Sequence, residues 1–316
     1  MSRHTTFGIG GPADLFVVAH TRSELCAAAR LAYEQDVPYF ILGSGANLLV
    51  ADKGIRGLVI HNQCAAITIA AESGTQRSGG SARGQEEPES GGPGDVWLAE
   101  AESGALLQAV ARQAMDRGLA GLEWAVDLPG TVGGAVVGNA GAFGGYVSDN
   151  LRRASVLVPA EVTACCGESC GRWWSKAELR LGYRTSILKE NRQRARFPPV
   201  ILAAVFALHH EDAAALKDRA EQYSRRRLET QPAGPSAGSV FKRTDQYPAG
   251  FLIENAGLKD TRIGDAVVSP QHANFIVNLG EATAQDVRAL IELVREKVYA
   301  QFKIMLDLEV ELVGDW

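Results

Sequence analysis

The chain has no apolar run approaching the ~18 residues that cross a membrane as a helix, and its opening residues, MSRHTTFGIGG, lack the apolar centre of a signal peptide. A cytoplasmic protein with no membrane partner is therefore expected. The chain also lacks an excess of positive charge: 32 Lys and Arg stand against 37 Asp and Glu, for a net charge of −5. Without a basic surface to track phosphates, nucleic acid is excluded as the main partner, although a local cluster of donors can still hold a small anion. The five cysteines, Cys26, Cys64, Cys165, Cys166 and Cys170, are odd in number and irregular in spacing, so no disulfide framework is indicated. Three of them fall in ACCGESCG, but no fourth Cys or His lies near enough to complete a tetrahedral zinc shell, and a loop of incidental thiols is expected with no metal. A Rossmann fingerprint is missing too, because Gly43-x-Gly45 runs into Asn47 and then an apolar segment that looks extended, not into a helix.

Glycine is abundant, with 34 residues, and its densest cluster is PGTVGGAVVGNAGAFGG over 129–145, seven glycines in 17 residues. Glycine loses more backbone entropy on folding than other residues, so such a cluster needs a reason, for instance close approach to a flat ligand. Pro129, Thr131, Val132, Val136, Val137, Asn139 and Phe143 are β-branched, ring-bearing or polar anchors that flexible linkers lack. A ligand-facing loop is expected here.

At 316 residues the chain is long enough for two or three domains, and chains of that size bury about 75% of their unfolded surface. Residues 7–18 read as a Gly-Pro turn and a strand, and 21–36 as a helix with Leu25, Ala28, Ala29, Ala32 and Tyr33 on one side. Strands follow at 39–42 and 58–61, separated by the GSGAN turn and the apolar 48–50. A Gly-rich turn directly after a strand offers backbone N–H groups to a diphosphate. Residues 73–94 hold almost nothing apolar and read as a disordered insertion between strands at 66–71 and 96–100. A helix is expected over 106–117, a strand at 155–158, a short helix beginning at Trp173-Trp174-Ser175, a strand at 201–208 and a helix over 212–230.

Near the C-terminus, Ser239, Lys242 and Arg243 put a hydroxyl and two cations on one glycine-flanked turn, a combination suited to an anion, though also to plain solvent exposure. His272, Asn274 and Asn278 lie in a strand-like run where they could instead satisfy buried backbone. Thr283 and Asp286 resemble a capping box for a helix over 283–301, whose stripe of Val287, Leu290, Ile291, Val294 and Val298 reads as core. Residues 304–313 alternate strictly. Leu306, Leu308, Val310 and Leu312 share one strand face, and Asp307, Glu309 and Glu311 the other.

The motifs TTFGIGGPADLFV, LGSGANLLV, GLEWAVDLPGTVGGAVVGNAGAFGG, LGYRTSIL, PSAGSVFKR, LIENAGLKDTRIGDAVVSPQHANFIVN and LDLEVELVG occur in that order along nearly the whole chain. Together they resemble the compact subclass of the bacterial UDP-N-acetylmuramate dehydrogenase family, also called UDP-N-acetylenolpyruvoylglucosamine reductase. The resemblance implies an α+β fold, with a two-subdomain FAD-binding module of the vanillyl-alcohol-oxidase type and a C-terminal α+β substrate-binding domain. The divisions expected from it are 1–64, 65–208 and 209–316. It implies FAD with its diphosphate at Gly43, Ser44, Gly45, Ala46, Asn47 and Leu48. The isoalloxazine would lie at Pro129, Gly130, Thr131, Val132, Gly133, Gly134, Ala135, Asn139, Ala140, Gly141 and Ala142.

The family moves hydride from NADPH through FAD to the enolpyruvyl group of a UDP-sugar, for peptidoglycan precursors. Matched by motif, Arg184, Ser239 and Glu309 carry the catalytic roles, and Tyr183, Lys242, Arg243, His272 and Asn274 the substrate contacts. An ionised Glu309 would repel the developing anion, so a protonated carboxyl, or one locked against Arg184, is expected. The implied partner is the small UDP-sugar ether alone, and the implied state a monomer. Ala46 departs from the Ser or Thr that the family often carries there, which removes one side-chain bond to the diphosphate, and Asp127 adds a carboxylate ahead of the glycine cluster. Four residues precede Thr5 where the family often has a longer leader, so the true start is expected upstream of Met1. The alternatives are another FAD oxidoreductase of the same superfamily, or a catalytically silent flavin-binding protein.

Overall fold

The computed structural model describes residues 1–72, 96–161 and 170–316, with all of their side chains except those of 193 and 194. The expected insertion at 73–94, and Cys165 and Cys166, lie outside the described residues. The chain forms two compact units: Met1–Ala19 and Glu24–Asn62 with Arg225–Trp316, and His20–Ser23 with Gln63–Ser224.

The chain opens with β1 (Ala13–Ala19), α1 (Arg22–Glu34), β2 (Tyr39–Leu42), β3 (Leu48–Val50) and β4 (Ile55–Asn62). Strands β1 and β2 both run parallel to β4, in the order β1-β4-β2. The α1 stripe is rotated from the expected one: Cys26 is buried with Leu25, Ala29 and Ala32, while Tyr33 is exposed. Cys26 behaves there as a small apolar side chain.

The second unit holds β5 (Ile67–Ala71), β6 (Val96–Glu102), α2 (Leu107–Met115), β7 (Leu119–Ala120), α3 (Val132–Gly138), β8 (Gly141–Ala142), β9 (Gly145–Tyr146) and α4 (Val147–Asn150). It continues through β10 (Leu151–Leu157), β11 (Arg172–Ser175), α5 (Lys176–Leu179), α6 (Ile187–Arg194), β12 (Val200–His210) and the first part of α7 (Ala213–Thr230), whose residues from Arg225 on belong to the first unit. Its main sheet has the order β11-β10-β12-β6-β5, with β7 added to β12. Trp173 and Trp174 lie on strand β11 and not in a helix. Bulky aromatic residues suit a pleated surface, and here they pair with Ser155 and Ala154 of β10 under the guanidinium groups of Arg153 and Arg172. Helix α5 starts only after them, at the Ser175–Glu178 capping box. Cys170 is buried and disulfide-bonded, so the expectation of incidental thiols fails there; an irregular count argues against a framework, not against a single bridge.

Arg219 of α7 joins Glu123 and Glu211, and Glu123 also accepts the Gly121 amide at 2.7 Å. Burial alone would raise the Glu123 carboxyl, but backbone hydrogen bonds and Arg219 outweigh it and hold the group below the usual carboxylate range. A carboxyl lowered in the folded state stabilises above its unfolded pKa, and that stability is lost as pH falls through the folded value. Glu123→Gln is therefore expected to lower stability at pH 7 by about 1–2 kcal/mol, allowing for solvent around Arg219. In thermal unfolding, the gap from wild type should close below about pH 4; a gap independent of pH would show that the carboxylate charge plays no part.

The chain returns to the first unit with α8 (Ala249–Asn255), β13 (Arg262–Ile263), β14 (Ala266–Val268), β15 (Ile276–Asn278), α9 (Ala284–Phe302) and β16 (Glu311–Val313). Thr283 and Asp286 form the expected capping box of α9, which buries the expected stripe from Val287 to Val298. Asp52, far away in sequence, adds a second cap by accepting the amides of Ala284 and Gln285 at 2.8 and 3.0 Å. Strand β16 pairs parallel with β3. These two ties, with Phe7, Ile9 and Leu49 in the core under α9, explain why the C-terminal residues share a unit with the N-terminal ones. The terminal strand is shorter than expected. Leu306 and Val310 are buried, but ladder pairing begins only at Glu311, and Leu312 is exposed. Among the described residues no helix is long and apolar enough to cross a membrane, and no group of three His, Cys, Asp or Glu could hold a metal.

Candidate active site

In the first unit, residues 43–47 link β2 to β3 as a tight turn. Gly45 has φ +65, and a Cβ there would stand 2.3 Å from the His4 carbonyl oxygen, so only glycine fits. Its own carbonyl accepts the Thr6 amide at 3.2 Å. Among the described residues, the amides of Ser44, Gly45, Ala46 and Asn47 donate to no other group. Four successive uncommitted N–H groups on a pinned turn fit an anion such as a diphosphate.

The same turn is tied to the residues expected to do chemistry. The Asn47 side-chain amide donates to the Glu309 carbonyl at 3.0 Å, and the Glu309 amide donates to the Val240 carbonyl at 2.8 Å. Residues 239–242 thus run between two backbone partners, with bridges from Ser239 to Phe275 and from Phe241 to Leu308. Asn274 fixes that segment with both ends of its amide. Its Oδ1 accepts from the Phe241 N–H at 3.0 Å, and its Nδ2 donates to the Phe241 carbonyl at 2.8 Å. Asn278 likewise donates to Phe7 and accepts from Gly280 and Ala282.

Asn274 therefore reads as a splint for Ser239, committed to backbone and not turned to a ligand. His272 accepts the Asn274 amide at Nδ1 (3.2 Å) and stacks edge-on to Phe275; burial pushes its pKa below the ordinary value. Ser239 and Lys242 are half-buried and Arg243 is exposed.

In the second unit, the glycine-rich stretch holds helix α3 over Val132–Gly138, where a loop is expected. Thr131 caps α3 by accepting the Gly134 amide at 3.4 Å. The amides of Val132 and Gly133 donate to the carbonyls of Ala105 and Ser103, both at 2.8 Å. With these amides spent, the start of α3 is not an anion site. Val132, Ala135 and Val136 are buried in the core and anchor the helix, so Val132 and Ala135 are not ligand contacts through their side chains. On the opposite side, a Cβ at Gly134 would meet only Thr131 Oγ1, at 3.6 Å, and one at Gly138 or Gly130 would meet nothing within 4 Å. Backbone bare of side chains on one face and anchored on the other fits a flat aromatic ring system.

Arg184 is joined to this helix. Gly182 and Thr185 bond across a tight turn, with Tyr183 and Arg184 between them. Asn139, the left-handed C-cap of α3, donates from Nδ2 to the Gly182 carbonyl at 2.9 Å. Arg184 Nη2 donates to the Gly141 carbonyl at 3.0 Å. Ser186 Oγ donates to the Val137 carbonyl at 2.6 Å. Three bonds thus lock 182–186 to 137–141. Tyr183 is exposed beside the Arg184 guanidinium, which lies 5.7 Å from its ring centroid.

The sequence reading missed Ser186 and Lys189 because α6 has no apolar stripe. The signal that could have found them is the Ser-x-x-Lys spacing, which puts a capping hydroxyl ahead of a helical turn.

Two family models match parts of the chain. The family model described as UDP-N-acetylenolpyruvoylglucosamine reductase, C-terminal domain, matches residues 230–313, and one described as FAD binding domain matches 94–163. The UDP-N-acetylenolpyruvoylglucosamine reductase of Alkaliphilus oremlandii is 39% identical over 100% of this chain and 92% of its own length. That of Chloroflexus aurantiacus is 42% identical over 99% and 95%. The crystal structure of the Thermus caldophilus enzyme of that name superposes with a TM-score of 0.73 at 31% identity, covering 99% of this chain and 97% of the other.

Proposed function

The chain belongs to the UDP-N-acetylenolpyruvoylglucosamine reductase family, and we propose that its residues reduce the enolpyruvyl ether of UDP-N-acetylglucosamine with FAD and NADPH, in the cytoplasm and as a monomer. The observation that carries the reading is the backbone knot in which Asn47 of the turn with uncommitted amides holds Glu309, and Glu309 holds the segment of Ser239. The residues present fit FAD, with 43–47 for the diphosphate and the bare face of α3 for the ring. FAD, when bound, supplies two-electron reduction chemistry.

Reduction of the double bond at the carbon remote from the carboxylate leaves carbanion character at the carbon beside it. A permanently charged guanidinium, Arg184, stabilises the enediolate where it forms. Ser239 donates the proton: a hydroxyl is a weak acid, but a carbanion is basic enough to take its proton when the two are aligned. Glu309 acts in its protonated form, because an ionised carboxylate would oppose the same charge. Lys242, Arg243 and Tyr183 are assigned to the UDP-sugar, the two cations to its phosphates, and His272 lines the same segment.

The test is spectroscopic. The purified protein is expected to be yellow, to bleach on addition of NADPH, and to regain colour on addition of the enolpyruvyl UDP-sugar. Bleaching without recovery would favour another oxidoreductase of the superfamily, and no bleaching a silent flavin-binding protein.

A further inference from the structure

Lys189 breaks two local rules at once. Only 8% of it is exposed, although a lysine is seldom buried without a specific partner. It is also the third residue of α6, where the helix dipole disfavours a cation. Neither feature helps α6 to form. Ser186 does that by accepting the Lys189 amide at 3.2 Å. The Lys189 ammonium instead donates to the backbone carbonyl of Arg184 at 3.3 Å.

Arg184 is the residue whose backbone needs such a hold. Its φ is +54, in the left-handed region that a β-carbon disfavours, and non-glycine residues persist there only when their surroundings fix them. Three bonds between residues 182–186 and 137–141 do so, as described above. Lys189 reaches the turn from α6, through the backbone oxygen that belongs to Arg184 itself. Violations of local preference concentrate where function demands them.

We propose that Lys189 is a positioning residue for Arg184, its buried ammonium clamping the Arg184 carbonyl so that the left-handed turn presents the guanidinium in a single place. This rests on the catalytic role proposed for Arg184. Lys189→Met keeps an unbranched side chain one atom shorter and removes the clamp.

In the flavin-loaded protein, the amides of Gly182 and Thr185, which bond across the turn at 3.0 and 3.3 Å, are expected to exchange hydrogen roughly tenfold faster, with those of α3 unchanged. Flavin reduction by NADPH should hold its rate, while reoxidation by the enolpyruvyl UDP-sugar slows roughly 100-fold. Lys189→Arg, which keeps a cationic donor, should restore most of it. In an Arg184→Ala background, Lys189→Met should slow reoxidation no further.

Unchanged exchange at Gly182 and Thr185 overturns the proposal, as does equal slowing of both half-reactions or an additive loss with Arg184→Ala. If the wild type itself is not reoxidised by that substrate, the functional reading fails, and the exchange measurement still decides Lys189. Should Lys189→Met not fold, Lys189→Gln carries the same readouts, with the same pattern expected at smaller size.

Discussion

Ser239→Ala is expected to leave flavin reduction by NADPH at its wild-type rate and to slow reoxidation by the enolpyruvyl UDP-sugar by about 10²–10⁴-fold, the range for loss of a positioned proton donor. The separation of the two half-reactions follows from where Ser239 sits. Its segment is held by backbone: Val240 donates to the Asn274 carbonyl and accepts from Glu309, and Phe241 is bonded on both sides by the Asn274 side chain. None of these bonds involves the hydroxyl, so its removal leaves the segment in place, and only the step that needs a proton on carbon suffers. Rapid-mixing absorbance of the flavin, with each substrate added separately, measures the two rates. Equal loss in both would show that Ser239 shapes the site and gives no proton.

How far the sequence could lead differs from one element to the next. Helix α9 was legible because its cap, its stripe and its length agree, and tertiary structure had only to supply a surface for the stripe. The turn at 43–47 was legible as a possible anion cradle, yet the sequence could not show that His4 fills the space a Cβ would need at Gly45. Helix α3 was hidden, since glycine is the poorest helix former after proline. It forms because Thr131, Ala105 and Ser103 satisfy its first amides and because Val132 and Val136 bury their side chains, which are gains that no local propensity carries. Trp173 and Trp174 were misread because a capping serine follows them, and the strand partner that claims them is distant in the chain. The joining of Arg184 to α3 through Asn139, Gly141 and Val137 was not legible at all: its members lie some 43–49 positions apart and share no periodicity.

Gly134→Val is expected to give a folded protein that purifies without colour. Two properties of the position drive this result in opposite directions for the fold and for the ligand. For the fold, a Cβ at 134 meets only Thr131 Oγ1 at 3.6 Å, an ordinary contact. Replacing a helical glycine also recovers backbone entropy, about 0.5–1 kcal/mol in the case of alanine, with less for a β-branched residue. The apo protein should therefore melt no lower than wild type. For the ligand, the added isopropyl group projects from the side of α3 opposite Val132 and Val136, into the space that the bare backbone leaves open. A ring lying flat against the helix would have to move outward by roughly the thickness of a methyl group, losing the close contacts on which dispersion depends.

Gly134→Ala separates these effects further, because it should match or exceed wild-type thermal stability without flavin while binding flavin more weakly. Flavin content per protein chain, read from visible absorbance beside thermal unfolding of the stripped protein, decides the matter. Full flavin occupancy in Gly134→Val would show that the bare face of α3 is not where the ring lies. Loss of folding in Gly134→Ala would show that glycine serves the helix itself and not the ligand.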